Sequence, residues 1–411
     1  YLALVIEAKS PVKIIQVGSR QLQYPFERKG QIKAAQAPWV ERYFDATDKT
    51  IRVCTTDAYT DNYRERRQYA QTGYYGAMGN HWIFGDTALQ RRYLMQTAEE
   101  QEANGIMPAY APLKSNDYMI ILDSNLLWIR SLYQYYLFSG DHRTTQKLMA
   151  NAYKLMELLH SFTNDSGLIH NPPYSYWLDH SDLDRAGANF TLNAHYLGAL
   201  EDFTRLLEWL NQKEVSEFSK RANLLRSSLR DQFWNAEKGL FADALLDEGL
   251  SIKYSEHANG MALALKIADE NQGKSIVKQI LADDPNRFIK RSTGMTIVTP
   301  ALSYFLHKGL AHYGHVDASF DLFRQRFDHM LKPQYNGTLW EEWWLDGSGR
   351  SGKFDGRYTR SDAQTESAFF PALSAEFLLG IQPSKPGMVE MIIEKPNTQI
   401  QKIESIIPTP L

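Results

Sequence analysis

Cysteine is nearly absent: Cys54 is the only one in 411 residues. A single cysteine excludes an intrachain disulfide and a cysteine-based metal site. Its apolar-rich surroundings mark it as a packing residue rather than a nucleophile. No apolar run approaches the roughly 20 residues that a membrane-spanning helix needs. A basic excess is missing too: 45 Lys and Arg stand against 48 Asp and Glu, a net charge of −3, which sets aside a nucleic-acid partner. No internal repeat is visible that would mark a solenoid. The chain also lacks an initiator Met and a signal peptide, starting at Tyr1, and reads as a fragment or processed product. With 43% hydrophobic and 23% charged residues and a mean hydropathy of −0.44, the composition is that of a globular protein. A periplasmic or secreted bacterial protein fits it, as does a cytoplasmic one.

Aromatic residues are plentiful, with 9 Trp, 23 Tyr and 19 Phe. Many must be core, because aromatic side chains carry large buried area. The Trp and Tyr share also suits sugar binding, in which flat rings pack on the apolar face of a pyranose. At 411 residues the chain is long for a single core, so a large domain with appendages is expected.

The ends read as β and the middle as α. Leu2–Ile6 and Lys13–Val17 are β-rich, so residues 1–36 look like the tail of a β domain. Residues 383–411 alternate over Met388–Glu394 and Ile400–Ile407, like the opening of a C-terminal β-sandwich. Residues 37–382 show about a dozen helical stretches. Those that bear on the site are expected at Trp39–Val53, Glu65–Met78, Tyr118–Phe138, Thr191–Trp209, Glu256–Ile267, Pro300–Tyr313 and Ala363–Leu379. Breakers such as Ser139-Gly140-Asp141 and Tyr313-Gly314-His315 separate them. Short turns alternate with long, aromatic loops. That pattern fits six helical hairpins closed into an (α/α)6 toroid, with the long loops building a pocket on one face.

Two segments carry candidate chemistry. Thr60-Asp61-Asn62-Tyr63-Arg64-Glu65-Arg66-Arg67-Gln68-Tyr69 holds a carboxylate flanked by Arg and Tyr, where a loop meets a helix. As a bland alternative it is a charged helix start capped by Asp61. Gly337-Thr338-Leu339-Trp340-Glu341-Glu342-Trp343-Trp344-Leu345-Asp346-Gly347 sets three Trp around two adjacent Glu. Helical spacing cannot bury all three Trp on one face, and the flanking Asn-Gly and Asp-Gly pairs mark a loop. Core packing is the competing account. Glycoside hydrolysis needs two carboxyls, one protonated to help the leaving group and one ionised to activate water or attack. Glu65 and Glu341 can meet because the first and last helices of a ring are neighbours.

These residues resemble the α-L-rhamnosidases of glycoside hydrolase family 78. The acid before Arg64-Glu65-Arg66 looks like that family's Asp-Cys-Pro-x-Arg-Glu-Arg segment, and Thr338-Leu339-Trp340-Glu341 looks like its Thr-x-Trp-Glu-Arg-Trp. Gln101 with Gly105–Pro108, Leu122-Asp123, Ser139-Gly140-Asp141 and Ser292-Thr293-Gly294-Met295 fall in the same order, over residues 35–411. The resemblance implies an exo-acting, inverting hydrolase that releases terminal L-rhamnose from a glycan or glycoside, without metal or cofactor. It implies Glu65 as general acid and Glu341 as general base. Asp61, Arg64, Asp123, Asp179, Glu342 and Gln364 are candidates for sugar contact. Trp128, Trp177, Trp340, Trp343 and Trp344 are candidates for the pocket wall.

Departures from the family pattern alter the sugar-contacting set. Asp61 lies one residue closer to the Glu than the family spacing. Gln68-Tyr69-Ala70-Gln71-Thr72 stands where the family has Gly-Trp-x-Gly-Asp, so a pocket carboxylate is missing. Ser361-Asp362-Ala363-Gln364 replaces Ser-x-Asn-His, leaving Gln364 or Glu366 in place of the histidine. Glu342 replaces Arg, so Glu342 competes with Glu341 for the role of base. Trp177-Leu178-Asp179-His180-Ser181-Asp182 reads as a pocket-lining loop in preference to a metal site. The other function classes are a different hydrolase or a polysaccharide lyase on the same toroid, with Tyr63, Arg64 and His180 as lyase groups, and a non-catalytic carbohydrate-binding protein. Homo-oligomers are compatible with every one of these.

Overall fold

The computed structural model describes residues 4–20, 22–61, 65–113, 118–285, 289–343 and 361–410. Among them twelve α-helices pair into six hairpins. In chain order they are α1 (Trp39–Cys54), α2 (Ala70–Ile83), α3 (Ala88–Glu99), α4 (Leu122–Ser139), α5 (His142–His160), α6 (Phe190–Trp209), α7 (Val215–Gln232), α8 (Glu256–Ala264), α9 (Glu270–Ile280), α10 (Tyr304–His312), α11 (Val316–Phe327) and α12 (Phe370–Phe377). The even-numbered helices contact one another in the cycle α2–α4–α6–α8–α10–α12 and back to α2, which closes the inner ring. The odd-numbered helices form the outer layer. This is the (α/α)6 toroid expected from the alternation of short and long connections.

Sequence explains which helix lies where. Every residue of α2 and of α8 is buried, and helices apolar or small all round belong inside. Outer helices are amphipathic: α1 buries Val40, Tyr43, Phe44, Thr47 and Ile51 while Glu41, Arg42 and Lys49 face water. Capping fixes the starts. Asp141 caps α5, Asn189 caps α6 and Ser255 caps α8, each accepting from a backbone N–H three residues on. Asn189 is therefore buried and engaged, although it also heads a glycosylation sequon. Gly140, at φ +67°, ends α4 in the left-handed conformation that glycine adopts freely.

Rings complete the closure where first and last helices meet. Tyr43 of α1 packs edge-on against Phe323 of α11 at 5.0 Å, and Phe323 stacks on Phe327 at 4.1 Å. Glycine sets the approach of the segment before α12 to α2. A Cβ at Gly76 would meet Thr365 at 2.6 Å, and one at Gly79 would meet the Ala368 carbonyl at 2.4 Å.

All long connections enter the inner helices. Residues 55–69, 100–121, 161–189, 233–255, 281–303 and 328–369 precede α2, α4, α6, α8, α10 and α12. Returns to the outer layer are short, such as 140–141 and 313–315. One mouth of the ring therefore carries all six elaborate loops.

The β expectations are met only in part. Leu4–Ile6 and Lys13–Val17 pair with nothing and are exposed, so the apolar alternation there makes no strand. Strand β1 (Gln31–Lys33) pairs antiparallel with β9 (Glu404–Ile406), which brings the segment before α1 beside a segment that follows α12. Strands β7 (Ile381–Pro383) and β8 (Met391–Ile393) form a second pair, and nearby Met388 packs on Trp82 and Ala375. No sandwich forms among the described residues. Short strands β2 to β6, between residues 188 and 250, decorate the long loops. No described helix is long and apolar enough to cross a membrane.

Candidate active site

The loops before α2, α6 and α12 converge at the elaborate mouth. Ahead of α2 the chain turns back on itself: Asp61 N donates to Arg67 O at 2.9 Å and Arg66 N donates to Asp61 O at 3.0 Å. Arg66 takes a positive φ of +53° in that turn. The expected helix over Glu65–Met78 therefore starts later, at Ala70, and Glu65 stands ahead of it. Tyr69 O–H donates to Glu65 Oε2 at 3.1 Å, and Arg67 Nη1 lies 3.7 Å from the same oxygen. Arg67 also donates to Tyr69 at 3.1 Å and rests 4.9 Å from the Tyr110 ring centroid. Glu65 thus sits half-buried on a platform of Arg67 and two tyrosines.

The second acidic segment arrives from the other end of the ring. Glu341 N donates to Ser361 O at 3.0 Å, and Gln364 N donates to Leu339 O at 2.8 Å, tying 339–341 to 361–364. Gln364 in turn reaches the first segment, its Nε2 donating to Asp61 Oδ1 at 2.8 Å. Asp61, Gln364 and Glu341 are therefore brought together from residues that are 303 and 23 positions apart in sequence. From the loop before α6, His180 Nε2 approaches Glu341 Oε1 to 2.9 Å. Glu341 is buried, as is Glu342 beside it, and the His180 contact is made by Glu341. Trp177 is half-buried with its ring 4.7 Å from the His180 ring, which leaves an aromatic face beside the carboxylate.

Glu366 completes the cluster. Thr72 O–H donates to its Oε1 at 2.5 Å, and Gln364 Nε2 donates to its Oε2 at 2.5 Å. Burial, then the neighbouring charge of Asp61 and that of Glu341, push its carboxyl up to about 8. In the sequence Glu366 stands out only as a neighbour of Gln364. Its contact with Thr72 spans 294 positions and leaves no local signal.

Several candidates do other work. Asp123 is buried and accepts from the backbone N–H groups of Trp177 and Leu178 at 2.8 and 2.9 Å. It anchors the His180 loop, in which Leu178 takes a φ of +63°. Asp179 accepts from Thr299 N at 3.1 Å and Thr299 Oγ1 at 2.6 Å, and also from Ser181. It clamps the loop before α6 to the loop before α10. Both acids thus bind protein groups and hold the loops of the mouth together. Trp128 is wholly buried and donates to Leu94 O at 3.1 Å. Trp340 and Trp343 are 1% exposed, Trp340 against Tyr335 and His329, Trp343 against Phe327. These three are core, not pocket wall, because apolar area outweighed their position in the loop. Arg64 and Trp344 lie outside the described residues, as do Tyr63 and the glycine-rich stretch 347–352.

Burial raises the Cys54 thiol to about 12, consistent with a packing role. Among the described residues no group of three or more His, Cys, Asp or Glu could hold a metal ion. A cavity of about 650 Å³ opens elsewhere, among Arg130, Asp202, Lys308 and Glu376 on the bodies of the inner helices. Its carboxylates are matched by bases, Arg130–Asp202 at 3.0 Å and Lys308–Glu376 at 2.8 Å, and it lies away from the Glu65 and Glu341 mouth.

Comparison with known proteins agrees with this fold. A family model described as the bacterial α-L-rhamnosidase six-hairpin glycosidase domain matches residues 27–360. Among solved structures, the family 78 rhamnosidase of Bacillus sp. GL1 aligns with a TM-score of 0.82 at 21% identity, covering 94% of this chain and 40% of that one. A Klebsiella oxytoca rhamnosidase with rhamnose bound aligns at 0.69 and 18% identity, covering 83% and 64%. A family 63 mannosylglycerate hydrolase from Thermus thermophilus aligns at 0.59 and 12% identity, covering 80% and 99%. The likeness to these structures is one of fold, and the chain spans less than half the length of the Bacillus enzyme. No curated protein sequence matches the chain. With the family model running from the turn before α1 to the threshold of α12, the chain belongs to the bacterial α-L-rhamnosidase six-hairpin glycosidase domain family.

Proposed function

We propose that this domain is the catalytic part of an exo-acting, inverting α-L-rhamnosidase that removes terminal L-rhamnose from a glycan or glycoside. The observation that carries the reading is the joining of the Glu65 and Glu341 segments through Gln364, whose amide reaches Asp61 while its backbone pairs with Leu339. Family membership and the rhamnose-bound Klebsiella relative supply the glycone.

Glu65 serves as the general acid, protonating the departing glycosidic oxygen. Glu341 serves as the general base, withdrawing a proton from the water that attacks the anomeric carbon from the opposite face. The transition state is oxocarbenium-like, and the product has the inverted configuration. His180 bonds to Glu341 and holds its carboxylate in one orientation. That contact favours Glu341 over Glu342 as base. Trp177 offers a half-buried ring for the sugar's apolar face.

The test is a panel of aryl glycosides including the α-L-rhamnoside, with the anomer first released followed by NMR. Release of β-L-rhamnose is expected. Retention of configuration would overturn the mechanism, and cleavage of another glycone alone would overturn the substrate. Glu65→Gln and Glu341→Gln should each lower kcat by about 10²–10⁴-fold.

A further inference from the structure

Glu366 is a carboxyl that folding should avoid unless it is used. It is 5% exposed and is held by two side chains, Thr72 and Gln364. An ionised carboxylate buried on two neutral donors is costly. One amide nitrogen, Gln364 Nε2, serves both Glu366 Oε2 and Asp61 Oδ1. Two carboxyl groups bridged by one NH2 cannot both be anions cheaply, since like charges so placed disfavour ionisation of one of them. Packing delivers the arrangement: glycines at 76 and 79 let the segment 365–368 press onto α2, beside Thr72.

We propose that Glu366 is a positioning residue for glycone recognition, acting as a neutral carboxyl that locks the Gln364 amide and through it sets Asp61 as the single anionic acceptor for a sugar hydroxyl. The inference rests on the glycosidase reading for its ligand. The direction of the Glu366 shift, up to about 8, agrees with a neutral group near pH 7. Among the described residues, the ionisable groups around it include Asp61 from the loop before α2, Glu341 from the loop before α12, and Cys54 at the end of α1. When Glu366 ionises, Asp61 meets a second anion through the shared amide and its hold on the hydroxyl loosens. The effect belongs in KM, because Asp61 acts on binding, and leaves kcat largely as it is.

The experiment compares the native protein with Glu366→Gln and Glu366→Ala over pH 6–9. The glutamine variant keeps the shape of the neutral form. Its KM for the aryl α-L-rhamnoside should stay within about threefold of native at pH 7, and the rise in native KM above about pH 8 should vanish. The alanine variant should raise KM about tenfold at all pH values with a smaller change in kcat. A glutamine variant as impaired at pH 7 as the alanine one would overturn the inference, since the ionised form would then be the working one. So would a native KM that does not change with pH. Infrared difference spectra of native against Glu366→Gln read the protonated carboxyl without substrate. Absence of that band at pH 7 overturns the inference alone, while its presence with no glycoside hydrolysed by the native protein overturns the hydrolase reading alone.

Discussion

His180 Nε2 lies 2.9 Å from Glu341 Oε1, joining the loop before α6 to the loop before α12 across 161 residues. A base of the kind proposed for Glu341 gains from such a partner, because the ring nitrogen fixes the plane of the carboxylate. Substituting His180→Ala removes the partner and keeps the carboxylate. The expected result is a kcat lowered about 10- to 100-fold with the fold intact, measured by steady-state kinetics alongside circular dichroism.

Asp123 supports that same loop from below. It satisfies the backbone N–H groups of Trp177 and Leu178, and removing it leaves two inward-facing donors without their acceptor. Asp123→Ala should cost about 1–3 kcal/mol in stability and lower activity with it. Asp123→Asn should recover part of both, because the amide oxygen can still accept. Chemical denaturation and initial rates check the pair.

A buried ionic cluster holds the start of α8. Glu256 takes a fork from Arg326, at 2.7 Å to each oxygen, and a third bond from Arg291 at 2.8 Å. The charge of Arg326 and then of Arg291 hold its carboxyl below the usual range in spite of burial. Glu256→Ala would strand two buried guanidinium groups. A loss of about 3–5 kcal/mol is expected, seen as a shifted denaturation midpoint or as failure to express in folded form.

Acid should weaken the domain through its buried histidines. Burial depresses His81 and His307 to about 3, and His257 and His329 to about 4. An unfolded chain would protonate each near the ordinary value of about 6.5. Their contribution is therefore fully present above about pH 6.5 and is lost as pH falls from there towards 4. Each histidine adds up to about 1.4 kcal/mol per pH unit to the slope. Denaturation midpoints measured between pH 7 and 5 should fall, and Phe or Gln at any of these positions should flatten the fall. Glu366 has the opposite sense. Its raised carboxyl stabilises fully below about pH 4.5 and is lost as pH climbs through about 8, so Glu366→Gln should gain relative stability in mild alkali.

The ring itself was legible because helical periodicity and breakers are local signals. Gly140 and the Ser255 cap mark their helix ends in plain sight. Boundaries failed where side chains compete for the backbone. The helix expected from Ala363 starts at Phe370, because Ser361 and Gln364 pair with the Glu341 segment instead. Trp128, Trp340 and Trp343 show that an aromatic residue in a suggestive place gives no hint of which way it points. Asp123 and Asp179 stand out in the sequence, but their partners are backbone and hydroxyl groups from other loops. The links of His180 to Glu341 and of Thr72 to Glu366 exist only after closure, so no window of the sequence contains both members.

The six long loops all lead into inner helices, and this has an electrostatic consequence. Each inner-helix start carries roughly half a positive charge, and six such starts ring the centre of one mouth, with the oppositely charged ends of the outer helices at its rim. A transition state with carbocation character would be repelled by that field. Anions at the centre of the mouth offset that field, and Asp61 and Glu341 are brought there from opposite ends of the chain. The scaffold supplies the positive background, and the loops supply the negative charge that offsets it at the point where the proposed hydrolysis would develop a cation.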